Sequence, residues 1–284
     1  MSITPLKLPG LTGHLEAVES GAGHKTPIVS LHGWLDNANS FRPMMPYIPD
    51  RPWVSLDLPG HGLSAHRPKD SVYHLMDYTI DLDLAIEALK WPTVDIVAHS
   101  LGAGIATLFA AVRPERIRRL VLLDGIGPLT SPPERGPDQL TKLMDVRQKY
   151  VDLESKTRSG YENWDQLINA RMLAGKLSKE SASLLMRRNA FEEDGRIYLR
   201  TDSRLKHPSP VYMTEPQVKA FAESVSCPVM LVQAEQGLLS KISLLQQRID
   251  YFKDMTVNKI AGHHHVHMDD PGTVSAEIRK FLDS

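Results

Sequence analysis

Thr93-Val-Asp-Ile-Val-Ala-His-Ser-Leu-Gly-Ala-Gly-Ile-Ala106 is the stretch on which the fold turns. An apolar run ends in Ala98-His99-Ser100-Leu101-Gly102, and a helix of small and apolar residues follows without a break. A serine held between tiny residues where a strand becomes a helix is the pattern of a nucleophile elbow. The corner is so tight that side chains two before and two after the serine would meet neighbouring backbone. Those positions need Gly or Ala, and they are Ala98 and Gly102, with Ala103 and Gly104 keeping the next turn narrow. A corner of this kind lifts the hydroxyl clear of the sheet, where a base and a substrate can reach it. Taken alone, the same pattern also fits a buried serine capping an ordinary strand-to-helix turn.

The flanking segments repeat the strand–helix alternation. Residues 3–18 read as two short strands around a Pro9-Gly10 turn. Pro27-Ile-Val-Ser-Leu31 and Pro52-Trp-Val-Ser-Leu-Asp57 are short buried strands, running into His32-Gly33-Trp34-Leu35-Asp36 and Leu58-Pro-Gly-His-Gly-Leu-Ser64. Leu82, Ala85, Ile86 and Leu89 at helical spacing predict a helix over 77–90, stopped by Pro92. The helix over 101–112 is apolar nearly all round, which buries it between sheet and other helices. Ile117–Asp124 is another strand, centred on Leu120-Val-Leu-Leu123. Short apolar strands alternating with helices call for a parallel sheet covered on both faces.

From Gly127 to Gly136 the pattern changes to turns, and then to polar helices. Leu140, Leu143 and Met144 mark one helix, Trp164, Leu167 and Ile168 a second, and Ser178 is the N-cap of a third. Residues 207–216 read as an exit linker, so 126–215 is expected to be a helical cap inserted into the sheet domain. The α/β pattern resumes with Pro228–Gln233, a helix carrying Leu245, Ile249 and Phe252, and a strand over Thr256–Ala261. A last helix starts with Asp270 as N-cap and Pro271 in its first turn.

Composition narrows the function classes. Hydrophobic content of 42% and charged content of 24% are those of a soluble globular protein, and 284 residues suffice for one large domain with an insertion. Basic residues number 33 against 34 acidic, without a basic block, which argues against nucleic-acid binding and electrostatic membrane attachment. No apolar run approaches the length of a membrane span. The start, Met1-Ser-Ile-Thr-Pro-Leu-Lys7, lacks the basic head and long apolar core of a signal peptide. The single Cys227 precludes an internal disulfide and suits a reducing compartment. The expected location is cytoplasmic.

In a parallel sheet the functional loops leave the carboxyl ends of the strands, so residues distant in sequence converge there. The candidates at those ends are His32–Leu35, Ser100, Asp124 and His264. A serine hydroxyl needs an imidazole to take its proton. The imidazole needs an acceptor on its other nitrogen to hold its tautomer. The developing oxyanion needs two backbone N–H donors, worth about 3–4 kcal/mol each. The order Ser100, Asp124, His264 is serine, acid, histidine.

From Pro27 onward the chain resembles the α/β-hydrolase superfamily, and more closely its serine hydrolase-like branch near the haloalkane dehalogenases. The matching stretches are Leu31–Phe41, Leu56-Asp-Leu-Pro-Gly-His-Gly-Leu-Ser64, Ala98-His-Ser-Leu-Gly102, Leu122-Leu-Asp-Gly-Ile-Gly-Pro128 and Gly262-His-His-His-Val-His-Met-Asp-Asp-Pro271. The resemblance implies an α/β-hydrolase fold with a mostly parallel eight-stranded sheet, helices on both faces and an inserted helical cap. Residues 1–125 and 216–284 would form the core and 126–215 the cap, where substrate choice is usually set. His32-Gly33 would shape the oxyanion loop, with the backbone N–H of Trp34 and of Leu101 as its donors. Asp57 and Gly60-His61-Gly62 match a structural loop, which makes His61 a packing histidine.

Many members carry the acid after the strand here ending near Gln233, in a Gly-Glu-x-Asp pattern. This chain reads Ala234-Glu-Gln-Gly237, with Gly237 where that Asp would fall. The dehalogenase branch puts its acid one strand after the elbow, which selects Asp124, with Glu235 in reserve. The base lies seven residues before the proline opening the last helix, which selects His264. A cluster of His263, His264, His265 and His267 also suggests metal binding. In an extended segment His263, His265 and His267 would share one face, yet no Cys or paired acids complete a site. Neither a metal nor another cofactor is expected.

The expected activity is a carboxylesterase acting on a small-molecule ester of small to medium acyl chain. Thioesters, lactones and carbon–carbon bonds are alternatives on the same triad, and a non-catalytic binding protein is the alternative from another class. Haloalkane and epoxide hydrolysis both need a carboxylate where Ser100 stands.

Overall fold

The computed structural model describes residues 3–153, 160–241 and 247–284. Among the described residues ten strands run in chain order. They are β1 (Thr4–Gly10), β2 (Gly13–Ser20), β3 (Ile28–Leu31), β4 (Trp53–Leu56) and β5 (Val94–His99), then β6 (Ile117–Leu123), β7 (Ala190–Glu193), β8 (Arg196–Leu199), β9 (Val229–Ala234) and β10 (Met255–Ile260). Eight of them form one sheet in the order β1-β2-β4-β3-β5-β6-β9-β10. Pairings β1–β2 and β2–β4 are antiparallel and the rest are parallel. Every residue of β3, β4 and β5 is buried, as Val/Ile/Leu-rich strands require when helices cover both faces.

The alternation of side chains sorts each strand between two cores. Ile96, Ala98, Leu120 and Leu122 pack with α1 (Leu75–Leu89) and α2 (Leu101–Val112). Val97, Val121 and Leu123 pack instead with Phe41, Met44, Met45 and the closing helix Pro271–Asp283, through its Val274, Ile278 and Leu282. Lys90 in a left-handed conformation ends α1 just before Pro92. Asp270 accepts the Thr273 N–H to open the closing helix. The first turn sits two residues later than expected. Gly10 pairs with Gly13, and the turn is Leu11-Thr12, where buried Asp81 accepts the Leu11 N–H at 2.7 Å.

Between β6 and α6 (Glu215–Ser224) the described chain adds no strand to the central sheet. It forms α3 (Gly136–Leu153), α4 (Trp164–Gly175) and α5 (Lys179–Asn189), with Ser178 accepting the Ser181 N–H as the N-cap of α5. Two features of this region were not foreseen. A β7–β8 hairpin turns at Asp194-Gly195, where φ of +49° and +71° suits a type I′ loop. Helix α6 opens with a capping box between Thr214 and Gln217. Buried Arg248 clamps both connections of the inserted segment, donating to the carbonyls of Ile126 and Pro128 at 2.8 and 2.7 Å and to the Glu215 carboxylate. Of the helix expected to carry Leu245, Ile249 and Phe252, residues 242–246 lie outside the described residues; beyond them Ile249–Tyr251 is a 3-10 turn, with Ile249 against the core and Phe252 buried in it. Among the described residues no helix is long and apolar enough to cross a membrane.

Candidate active site

Ser100 stands at the end of β5 with φ +50° and ψ −108°, a conformation that side-chain-bearing residues rarely adopt and that only tight packing sustains. Its N–H bonds the Leu123 carbonyl at 3.1 Å, fixing the corner to the neighbouring strand. A Cβ added at Gly102 would lie 2.2 Å from the Leu31 carbonyl oxygen, so the helix can leave the corner only over a glycine. Gly102→Ala is therefore expected to destabilise the fold by about 3 kcal/mol, the upper range for overpacking, read as a lower urea midpoint.

Asp124, at the end of β6, is buried and also has positive φ, +40°. Its carboxylate accepts from His264 Nδ1 at 2.6 Å, from the Leu238 N–H at 2.7 Å and from the Ala234 N–H at 3.3 Å. An ionised carboxylate only accepts, so Nδ1 carries the proton and Nε2 is left with its lone pair. Gly237 leaves the room this carboxylate occupies. A Cβ at 237 would fall 2.2 Å from Asp124 Oδ2, so the space a side chain there would use is filled by this carboxylate. Glu235 is exposed, and among the described residues its carboxylate makes no hydrogen bond or ion pair with His264, whose Nδ1 is held by Asp124. Nor does any hydrogen bond among them join the Ser100 hydroxyl to His264, a contact that unliganded sites often hold long.

The loop after β3 is held by its own imidazole. The Leu58 N–H donates to His32 Nε2 at 3.0 Å, leaving Nδ1 to donate to the Gly33 carbonyl at 2.7 Å. Burial pushes the His32 pKa down to about 4, so it holds the loop as a neutral ring. The His32 carbonyl accepts the Gly102 N–H at 3.2 Å, which sets the loop against the elbow. The backbone N–H groups of Trp34 and Leu101 make no hydrogen bond among the described residues, as an oxyanion site needs. The Trp34 indole donates to the Leu205 carbonyl at 3.0 Å, reaching the inserted segment. His61 is buried against His32 with ring centroids 5.0 Å apart.

The histidine cluster does not present one face. The segment after Gly262 is not extended but turns into a short helix, Val266–Asp269. His265 and His267 therefore point into the interior beside His99, with centroids 4.9 and 4.4 Å from it, while His264 remains about a quarter exposed, at 26%. Ligand-type atoms of Asp36, His99 and His265 lie within 4.8 Å of one another. Arg171 Nη2, however, donates to Asp36 Oδ1 at 2.5 Å and lies 3.2 Å from His265 Nε2. A divalent ion between Asp36 and His265 would face that fixed positive charge, so this donor set fits a metal poorly.

A serine at a strained corner, an acid on the next strand bonded to an imidazole beyond β10, and unengaged N–H groups beside them define a site of the hydrolase-fold class. A family model for the alpha/beta hydrolase fold matches residues 26–271, and the chain belongs to that family. It is 31% identical to a serine hydrolase-like protein of Danio rerio, over 97% of this chain and 87% of that one. Identity to serine hydrolase-like protein 2 of Homo sapiens is 28%, over 99% and 94%. The crystal structure of a hypothetical protein from Pseudomonas aeruginosa PAO1 matches with a TM-score of 0.90 at 35% identity, covering 98% of both chains. Over nearly its whole length the chain is thus similar to serine hydrolase-like proteins.

Proposed function

We propose that the protein is a carboxylesterase acting through an acyl-enzyme on Ser100. The hydroxyl attacks the acyl carbonyl while His264 Nε2 takes its proton, and Asp124 stabilises the resulting imidazolium. The tetrahedral oxyanion is received by the N–H groups of Trp34 and Leu101. His264 then returns the proton to the departing alcohol, leaving an acyl ester on Ser100. Water, deprotonated by the same imidazole, attacks that ester, and the carboxylic acid and the free serine are released. The observation that carries this reading is the 2.6 Å contact between Asp124 and His264 Nδ1 at the rim where β5 delivers its serine.

The test joins a fluorophosphonate probe with a chain-length series of activated esters and a matched thioester. Labelling at Ser100 and turnover that peaks at small to medium acyl chains are expected. A folded protein that takes no label, or one labelled elsewhere, would sink the mechanism. Faster turnover of the thioester would move the reading to that bond.

The acid has its own prediction. Asp124→Asn should lower kcat by about ten-thousand-fold, the loss seen when a triad acid can no longer set the tautomer, whereas Glu235→Gln should leave it unchanged. Because residue 237 points into the carboxylate's place, Asp124→Gly combined with Gly237→Asp should recover part of the loss. Equal losses for the Glu235 and Asp124 variants would reject this assignment.

A further inference from the structure

A second charged cluster lies behind the acid–base pair, and no step above uses it. Asp36 is buried at 1% exposure. Its Oδ1 accepts from Arg171 at 2.5 Å, its Oδ2 accepts from His265 Nε2 at 3.0 Å, and His99 Nδ1 stands 3.7 Å from Oδ2. Each core residue of this cluster neighbours a proposed catalytic group in sequence. Asp36 follows Trp34 by two positions, His99 precedes Ser100, and His265 follows His264. His99 also links two of these segments, because its Nε2 donates to the His264 carbonyl at 2.9 Å. Burial favours a neutral Asp36 carboxyl, but His265, His99 and Arg171 around it hold it well below the usual carboxylate range.

Arg171 alone arrives from the inserted segment, on α4. Gly175, one turn further along, leaves the room its guanidinium occupies, since a Cβ there would fall 2.5 Å from Arg171 Nη1. The segment has other anchors. Asn37 and Asn39 donate to the carbonyls of Leu185 and Leu184 at 2.9 Å each, Arg188 pairs with Asp57 at 2.8 Å, and Ser178 donates to Asp269 at 2.7 Å. Removing Arg171 should thus leave α5 docked and strip Asp36 of its full positive charge.

We propose that Arg171 is a positioning residue: its pairing with Asp36 makes the docking of α4 the condition under which the oxyanion loop, the elbow and the base loop come into register. This rests on the serine hydrolase reading. Without the guanidinium the buried carboxylate keeps only the imidazoles of His265 and His99 beside it; it would draw in water or a proton, and the three segments packed around it would loosen together.

Arg171→Gln tests it beside Arg171→Lys, with Leu173→Ala, an exposed position on the same helix, as control. The expected result for Arg171→Gln is a fall in kcat of about 10- to 100-fold, on the scale of the loss when a residue that orients a metal ligand is removed, with KM little changed. Arg171→Lys should recover much of it and Leu173→Ala should match the parent. Hydrogen exchange should quicken at 33–36, 100–102 and 264–266 while α5 stays protected. Unchanged kcat with unchanged exchange overturns the proposal, and so does loosening spread evenly over the whole chain. The exchange measurement needs no turnover. If the parent protein takes no fluorophosphonate label, the esterase reading falls, and the exchange pattern still decides whether Arg171 couples the three segments.

Discussion

Replacing Ser100 by Ala is expected to lower turnover of activated esters by about a million-fold, the loss found when the nucleophile of a triad is removed. The fold should be indifferent to the change. The Ser100 hydroxyl makes no hydrogen bond among the described residues, and the strained φ of +50° belongs to a corner that Ala98, Gly102 and Gly125 hold on every side. Loss of an unbonded hydroxyl shifts stability by less than about 0.5 kcal/mol, which in a chain this size moves Tm by about 1–2 °C. A separate His264→Ala should lose nearly as much activity, and the double variant scarcely more, because serine and base act as one unit. Kinetics and a thermal melt on the same preparations decide it. Turnover that survives in Ser100→Ala would place the chemistry elsewhere.

Acid should unfold this protein unusually early. Burial pushes the pKa of His32 down to about 4 and those of His61 and His99 down to about 3, and it holds His267 well below the ordinary histidine value. In the unfolded chain these rings take up protons near pH 6.5, whereas in the fold they stay neutral until the pH is far lower. Since the unfolded state binds more protons, stability is complete above pH 6.5 and is lost as the pH falls toward 3–4. The rings of His32, His61 and His99 each remove about 2 kcal/mol between pH 7 and pH 5, and His267 acts in the same direction. Together they take away a large share of the stability of an ordinary domain, about 5–15 kcal/mol. Urea midpoints at pH 7 and pH 5 should differ accordingly, and His61→Gln should flatten the profile by one ring's share. His61 suits this purpose, because its Nε2 is buried without a hydrogen-bond partner. Equal midpoints at the two pH values would mean that these rings are charged within the fold.

Features governed by short-range sterics and periodicity were readable from residue order. The elbow was, because a corner that would press a Cβ at 102 into the Leu31 carbonyl admits little but glycine there. The buried strands were, because two-sided burial leaves continuous Val/Ile/Leu runs. The Asp270-Pro271 cap was, and counting back from it selects the histidine whose Nδ1 meets Asp124. Weaker local signals misled: the first turn moved to Leu11-Thr12, and a four-residue strand with two acids, Ala190–Glu193, hid the hairpin.

Long-range pairing decided the rest. Whether Asp124 or Glu235 meets the imidazole depends on which side chain finds room beside Gly237, 113 residues from Asp124 by subtraction of their numbers. Whether His265 and His267 face solvent or core depends on one helical turn after Gly262 and on the packing of their rings against His99. The Arg171–Asp36 pair joins residues 135 apart and has no local signature. Backbone sterics and side-chain period act over a few residues and are written in order. A buried charge is satisfied by whatever partner the packed chain brings within 3 Å, and only folding chooses that partner.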